Sequence, residues 1–188
     1  MSSASASARK PRFAPLSVAA ARAGVAQAPA PAPRAVVALS PGSGERIWFL
    51  DQLVVVKLRG ADAPYGVIET ALDKDRATPF HRHTDEDEAF YVLEGELSIY
   101  VDGGTVLHGS PGTYVHVPRG VAHGFKTHTR VRMLVLSSPT GFVDFTRAYG
   151  APASRPGLPP PARPDLDRLQ ALAAKYHIEL LGPLPEIC

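Results

Sequence analysis

The sequence predicts an all-β domain, an antiparallel sandwich or barrel, on three observations. Ten short runs rich in β-branched and aromatic residues follow one another between Glu45 and Pro139. Gly, Pro and Asp punctuate them at even spacing, and no helical period intervenes. The segment YVDGGTV at 100–106 is a hairpin signal, because Asp102 and Gly103 tolerate the positive φ of tight turns.

The runs, in order, are RIWFL, LVVVKL, YGVIETAL, TPFHRH, EAFYVL, ELSIYV, TVL, TYVHV, AHGF and VRMLVLS. Most alternate apolar and polar residues, as a strand with one covered face does. After Pro139 the period changes. GFVDFTRAYG reads as a short helix ended by Gly150, and the link APASRPGLPPPARP holds six of the 19 prolines, so it continues neither helix nor sheet. PDLDRLQALAAKYH then places Leu166, Leu169, Leu172 and Ala173 on one helical face, with Asp165 as N-cap and Lys175 and His177 near the C-terminal end. This predicts a terminal helix packed on the outside of the β-body. The chain thus divides into an Ala/Pro/Ser-rich tail (1–44), a β-domain (45–139) and a C-terminal helical extension with its Pro-rich link (140–188).

Charge separates the tail from the rest. The 188 residues carry a net charge of +2, from 20 basic and 18 acidic side chains. Residues 1–44 hold no Asp or Glu and five basic residues (Arg9, Lys10, Arg12, Arg22, Arg34), which leaves 15 minus 18, or −3, for the remainder. A basic nucleic-acid surface on the folded part is therefore not expected. No apolar stretch approaches the roughly 18 residues that span a bilayer, so no membrane association is expected. The tail reads as disordered and the protein as cytoplasmic. The alternative is export through a weak signal, with a basic start and an AQA triplet at 26–28 interrupted by Pro15 and Arg22. Cys188 is the single cysteine, which excludes an intramolecular disulfide.

The chemistry concentrates in HRHTDEDEAFYVLEG at 81–95. In a strand, residues i and i+2 share a face, so His81 and His83 project together. Two imidazoles on one face suit a divalent transition ion, and a carboxylate from the next strand could complete the set. Glu88 opens the apolar run and shares parity with Phe90 and Val92, which points it inward. Glu86 has the same parity but lies farther back in the turn, and is the reserve candidate. Asp85, Glu86 and Asp87 together read as a solvated turn at the rim. His123, after the Pro118–Gly120 turn, opens another strand and supplies a third imidazole. His116 reads as a strand-surface residue rather than a group behind the ligands, and His108, His128 and His177 as exposed.

These residues resemble the cupin superfamily, whose first motif is G-x5-H-x-H-x3-4-E-x6-G and second is G-x5-P-x-G-x2-H-x3-N. His81, His83, Glu88 and Gly95 fit the first, and Gly112, Pro118, Gly120 and His123 fit the second. Asp75 stands where the first motif begins with Gly, and Thr127 where the second ends with Asn. Within the superfamily, DEAFYVLEGEL, PRGVAHGF, SPTGF and the terminal ALAAKY and ELLGP are similar to single-domain relatives of bacterial quercetin 2,3-dioxygenase. His177 stands where Gly is expected in that last segment.

The resemblance implies a double-stranded β-helix, or jelly-roll barrel, holding one divalent metal ion (Fe, Mn, Ni, Co, Cu or Zn) through His81, His83, Glu88 and His123. It implies a dioxygenase that cleaves a flavonol, or a related small phenolic or enolisable compound, with O2. Glu88 would be both ligand and general base, a role that asks for a raised carboxyl pKa. Phe80, Phe90 and Phe125 are expected to line the substrate pocket. A homodimer formed through an outer sheet face is also suggested. The alternatives are a non-redox metal-dependent cupin enzyme (isomerase, cyclase or lyase) and a non-catalytic small-molecule-binding cupin.

Overall fold

The computed structural model describes residues 36–60 and 63–186. The tail expected over 1–44 therefore lies mostly outside the described residues, as does Cys188. The part that is described, 36–44, is largely exposed chain without helix or strand.

All ten expected runs are strands: β1 (Glu45–Phe49), β2 (Gln52–Leu58), β3 (Gly66–Leu72), β4 (Phe80–His83), β5 (Asp87–Glu94), β6 (Leu97–Val101), β7 (Thr105–Gly109), β8 (Tyr114–Val117), β9 (His123–Thr127) and β10 (Val131–Ser138). Helix α1 (Gly141–Tyr149), the short β11 (Ala151–Pro152), α2 (Leu166–Lys175) and β12 (Ile178–Gly182) follow. Two antiparallel sheets result, with strand orders β11-β1-β2-β3-β10-β5-β8 and β12-β4-β9-β6-β7. Their inner faces meet in a core that includes Ile68, Leu72, Leu97, Ile99 and Met133, each no more than 1% exposed. Alternation decides the facing: on β5, Glu88, Phe90 and Val92 are buried while Tyr91 is exposed. Among the described residues no helix is long and apolar enough to cross a membrane.

Three turns show how the sequence closes the strands. The β6–β7 hairpin turns through Asp102, Gly103 and Gly104, both glycines at φ 79°. Gly95 sits at φ 83°, and a Cβ there would stand 2.1 Å from the Arg130 carbonyl oxygen, so only glycine fits. Asp75 occupies the left-handed region at φ 61°, as a glycine would. Thr127, the other departure from the motifs, is fully buried and holds the Asp75 loop. Its hydroxyl donates to the Asp73 carbonyl (2.8 Å) and accepts from Arg76 N–H (2.9 Å), and its carbonyl accepts from Asp75 N–H (3.1 Å). The two departures are thus parts of one hydrogen-bonded loop.

The C-terminal extension differs from the expectation. It is not wholly helical, since β12 pairs with β4 and β11 with β1. Nor does it only cover the outside. Asp165 caps α2 as expected, accepting from Arg168 N–H at 3.0 Å, but Leu166 is 65% exposed while Leu169 and Ala173 are buried. Leu169 reaches the barrel interior, where it joins the wall of a cavity. His177 ends α2 at φ 58°, the left-handed conformation that glycine usually supplies at a helix C-terminus.

Candidate metal centre

Two strands of one sheet and one of the other bring four donors together. His81 on β4 is directly opposite His123 on β9, and His83 follows two residues on. Glu88 comes from β5 in the facing sheet, so the site bridges the two layers. One ligand atom from each of His81, His83, Glu88 and His123 can be chosen so that all lie within 4.8 Å of one another. His83, Glu88 and His123 are 3% exposed or less.

Each imidazole is oriented by a hydrogen bond from its outer nitrogen. Nδ1–H of His81 donates to the Pro79 carbonyl (2.8 Å), and Nδ1–H of His123 to the Val121 carbonyl (3.1 Å). Nδ1–H of His83 donates to the carboxylate of Glu86 (2.9 Å). A carbonyl can only accept, so these bonds leave Nε2 of His81 and His123 to face inward. Nε2 of His123 lies 2.8 Å, and Nε2 of His83 3.7 Å, from Oε2 of Glu88. His83 Nε2 is buried without a hydrogen-bond partner among the described residues. An orphaned imidazole nitrogen beside two more and a carboxylate is a donor set that fits a divalent transition ion.

Electrostatics favour ligation at His81 and Glu88, whereas His83 must give up a proton to an incoming ion. Removal from water, reinforced by the neighbouring His123, pushes the His81 pKa down to about 3, so its lone pair is free at neutral pH. Burial alone would raise the carboxyl of Glu88, but His83, His123 and His81 outweigh it and hold Glu88 below its ordinary value. That is opposite to the raised carboxyl expected of a general base. Glu88 is anionic, as a ligand must be. Burial would lower His83, yet the Glu88 and Glu86 carboxylates outweigh it and raise its pKa.

Glu86 is where the sequence reading fails. It is not part of a solvated rim but 1% exposed. Oε1 accepts from His83, and Oε2 accepts from the N–H of Phe142 in the first turn of α1 (3.1 Å). Thr140, the N-cap of α1, makes no side-chain capping bond, so Glu86 takes that role from another element. Asp85 and Asp87 do remain at the surface, Asp87 bound to Arg119 through its guanidinium (2.9 Å) and backbone N–H (3.0 Å). His116 is exposed, 4.0 Å from Asp87, and His108, His128 and His177 are exposed as well.

The donors open onto a cavity of about 60 Å³. His81 and Glu88 form its polar wall, with the Gln52–Thr70 hydrogen-bonded pair and Thr78, and the remaining lining is apolar. Phe90 and Phe125 line it, edge to face at 6.2 Å. Phe80 does not: it has the opposite parity to His81 on β4, so alternation turns it away. In its place the C-terminal extension supplies Phe142 and Phe145 from α1, Leu169 from α2, and Ile178 and Leu180 from β12. Of these, only Leu169 carried a sequence signal, the amphipathic face of α2, which says that a residue is covered but not by what.

Residues 69–137 match the family model of the cupin domain, and the three histidines and the glutamate of the cluster all lie within that match. Among curated proteins it is similar to quercetin 2,3-dioxygenase of Bacillus subtilis (strain 168), 29% identical over 117 residues. That match covers 61% of this chain and 34% of the relative, so the chain spans about a third of the length of the curated relative it matches. Among solved structures, ectoine synthase from P. lautus is similar with a TM-score of 0.53 and 19% identity, covering 68% of this chain and 96% of that one. An RmlC-like cupin from Shewanella frigidimarina gives a TM-score of 0.46 and 22% identity, covering 54% and 89%. At 19% identity the first of these is a likeness of fold alone.

Proposed function

We propose that the protein is a metal-dependent dioxygenase of the quercetinase kind, cleaving a flavonol or a related enolisable phenol to a depside and carbon monoxide with O2. One observation carries the reading. Two of the four donors, His81 and Glu88, also line an apolar cavity with aromatic walls, so a bound ion would meet a planar apolar substrate there. The sequence similarity to the Bacillus subtilis enzyme supports it. His81, His83, Glu88 and His123 would hold the ion, which would supply Lewis acidity and redox activity towards dioxygen.

The chain's own residues do the remaining work. Phe90 and Phe125 exclude water and offer ring edges to an aromatic substrate. Glu88 is the carboxylate next to the open volume and accepts the proton of the substrate hydroxyl. The three histidine rings hold it anionic before substrate arrives, which makes it a weaker base than a desolvated carboxylate. Gln52 and Thr70 are the polar pair available to a second substrate oxygen.

The volume favours a second reading. A cavity of about 60 Å³ holds roughly four waters, counting about 15 Å³ for each. A flavonol is larger than that volume, so its entry requires lining side chains to move. A smaller enolisable compound suits this volume better, and with it a non-redox isomerase, cyclase or lyase activity.

Oxygen uptake decides between them. The full chain loaded with Fe, Mn, Co or Ni is mixed with quercetin while dioxygen and carbon monoxide are followed. Matched loss of quercetin and O2 with release of carbon monoxide is expected. If no metal form consumes either, the quercetinase reading is wrong, and turnover of an enolisable compound without O2 uptake establishes the second.

A further inference from the structure

We infer that Glu86 is a positioning residue that couples the docking of helix α1 to the geometry of the metal centre. The inference rests on the metal-centre reading and goes beyond it. Glu86 belongs to the turn before β5 and is neither a donor of the cluster nor exposed. Its two oxygens hold different partners. Oε1 fixes the His83 ring through Nδ1–H at 2.9 Å, and Oε2 caps α1 through Phe142 N–H at 3.1 Å.

A buried carboxylate is costly unless its acceptors are filled, and here both are filled from opposite sides. Helix α1 is nine residues long, and its N-terminal partial charge adds to the hold on Glu86. The approach is close. A Cβ on Gly141 would stand 3.3 Å from Oε2 of Glu86, so glycine lets the helix end come down on the carboxylate. The same helix presents Phe142, whose ring meets the His83 ring edge to face at 5.4 Å and lines the cavity. Withdrawing α1 removes one of Glu86's two bonds and with it a restraint on the His83 ring. Seating an ion on His83 favours the docked helix in turn, because coupling between two equilibria is reciprocal. The cap over the cavity and the ion beneath it therefore report on each other through one side chain.

Cobalt(II) tests this, used as the metal alone. Full-length wild type, Glu86→Gln and Gly141→Val are titrated with Co²⁺, reading affinity by competition and ligand geometry by the d–d absorption band. Amide hydrogen exchange across 141–149 is measured with and without the ion, and metal-free melting temperature serves as the stability control. The glutamine keeps the shape but places an NH2 against one of the two donors. The valine leaves Glu86 and all four ligands in place while its methyl groups press on the carboxylate.

Both variants are expected to bind Co²⁺ roughly 10- to 100-fold more weakly, the usual effect of disturbing a group behind a histidine ligand, and to show a shifted band. In wild type Co²⁺ slows exchange across α1, and in Glu86→Gln that protection is lost. If both variants bind Co²⁺ with wild-type affinity and spectrum while only melting temperature falls, Glu86 is merely structural and the inference is overturned. Failure of the wild type itself to bind overturns the metal reading instead, and the inference with it.

Discussion

Oε2 of Glu88 lies 2.8 Å from Nε2 of His123, across the gap between the two sheets. The two residues are 35 positions apart, and only the closure of the barrel makes them neighbours. A proton or a metal ion satisfies that pair, and the surrounding imidazoles favour the ion.

Removing one donor should therefore cost metal. Structural sites release about 10–16 kcal/mol on binding, so one of four ligands accounts for roughly 3 kcal/mol, or a hundredfold in affinity. Glu88→Gln and His123→Ala are each expected to lose about that factor in a competition titration. Saturation of the wild type at a hundred times its dissociation constant should add about 2.7 kcal/mol of stability over the chelated protein. Equal melting curves with and without metal would contradict this.

Thr127 tests whether the Asp75 loop depends on its hydroxyl. Thr127→Ala leaves the Asp73 carbonyl and the Arg76 N–H without their partner. The expected loss is about 1–3 kcal/mol in urea unfolding. Thr127→Asn restores hydrogen-bonding capacity and should recover most of it. A neutral Thr127→Ala would show that the loop is held by its backbone alone.

Acid stability should report on Glu69. Its carboxylate lies between Lys57 Nζ (3.1 Å) and Arg132 Nη1 (3.0 Å). Burial would raise its pKa, but the bonds to Arg132 and Lys57 outweigh that and lower it from the ordinary 4.5. Between the folded value and 4.5 the unfolded chain binds more protons, so stability rises with pH in that window. The contribution is complete above 4.5 and vanishes as pH falls through the lower folded value. Glu69→Gln should cost about 1 kcal/mol at pH 7 and progressively less as the pH falls below 4.5, seen as melting curves that converge in acid.

Leu169 links the cap to substrate size. Leu169→Ala removes a buried side chain from the cavity wall and should destabilise by about 2–5 kcal/mol. The space gained should lower KM for a flavonol more than for a small enolisable compound. An unchanged ratio of the two would mean that substrate does not pass Leu169.

What is legible in the sequence is whatever depends on local alternation. Parity turns His81, His83 and Glu88 inward, and the motif after Pro118 adds His123, because period 2 is a property of the strand itself. Phe90 and Phe125 follow from the same rule, and it also excludes Phe80, which alternates with His81 rather than sharing its face, contrary to the expectation that it lines the pocket. Glu86 escapes the rule because parity has no meaning inside a turn. The C-terminal extension reads as an outer layer because amphipathicity marks a covered face without naming its cover.

By itself, the sequence determined ten strands, two helices and a histidine–glutamate spacing that suits a metal, since propensity, punctuation and side-chain period act over a few residues. Only the tertiary structure decided which distant groups meet. It set His81 opposite His123, brought Glu88 over from the facing sheet, buried Glu86 beneath the first turn of α1 and paired β12 with the ligand strand β4. Those contacts join residues tens of positions apart, and they exist because two apolar faces can leave water only by closing on each other.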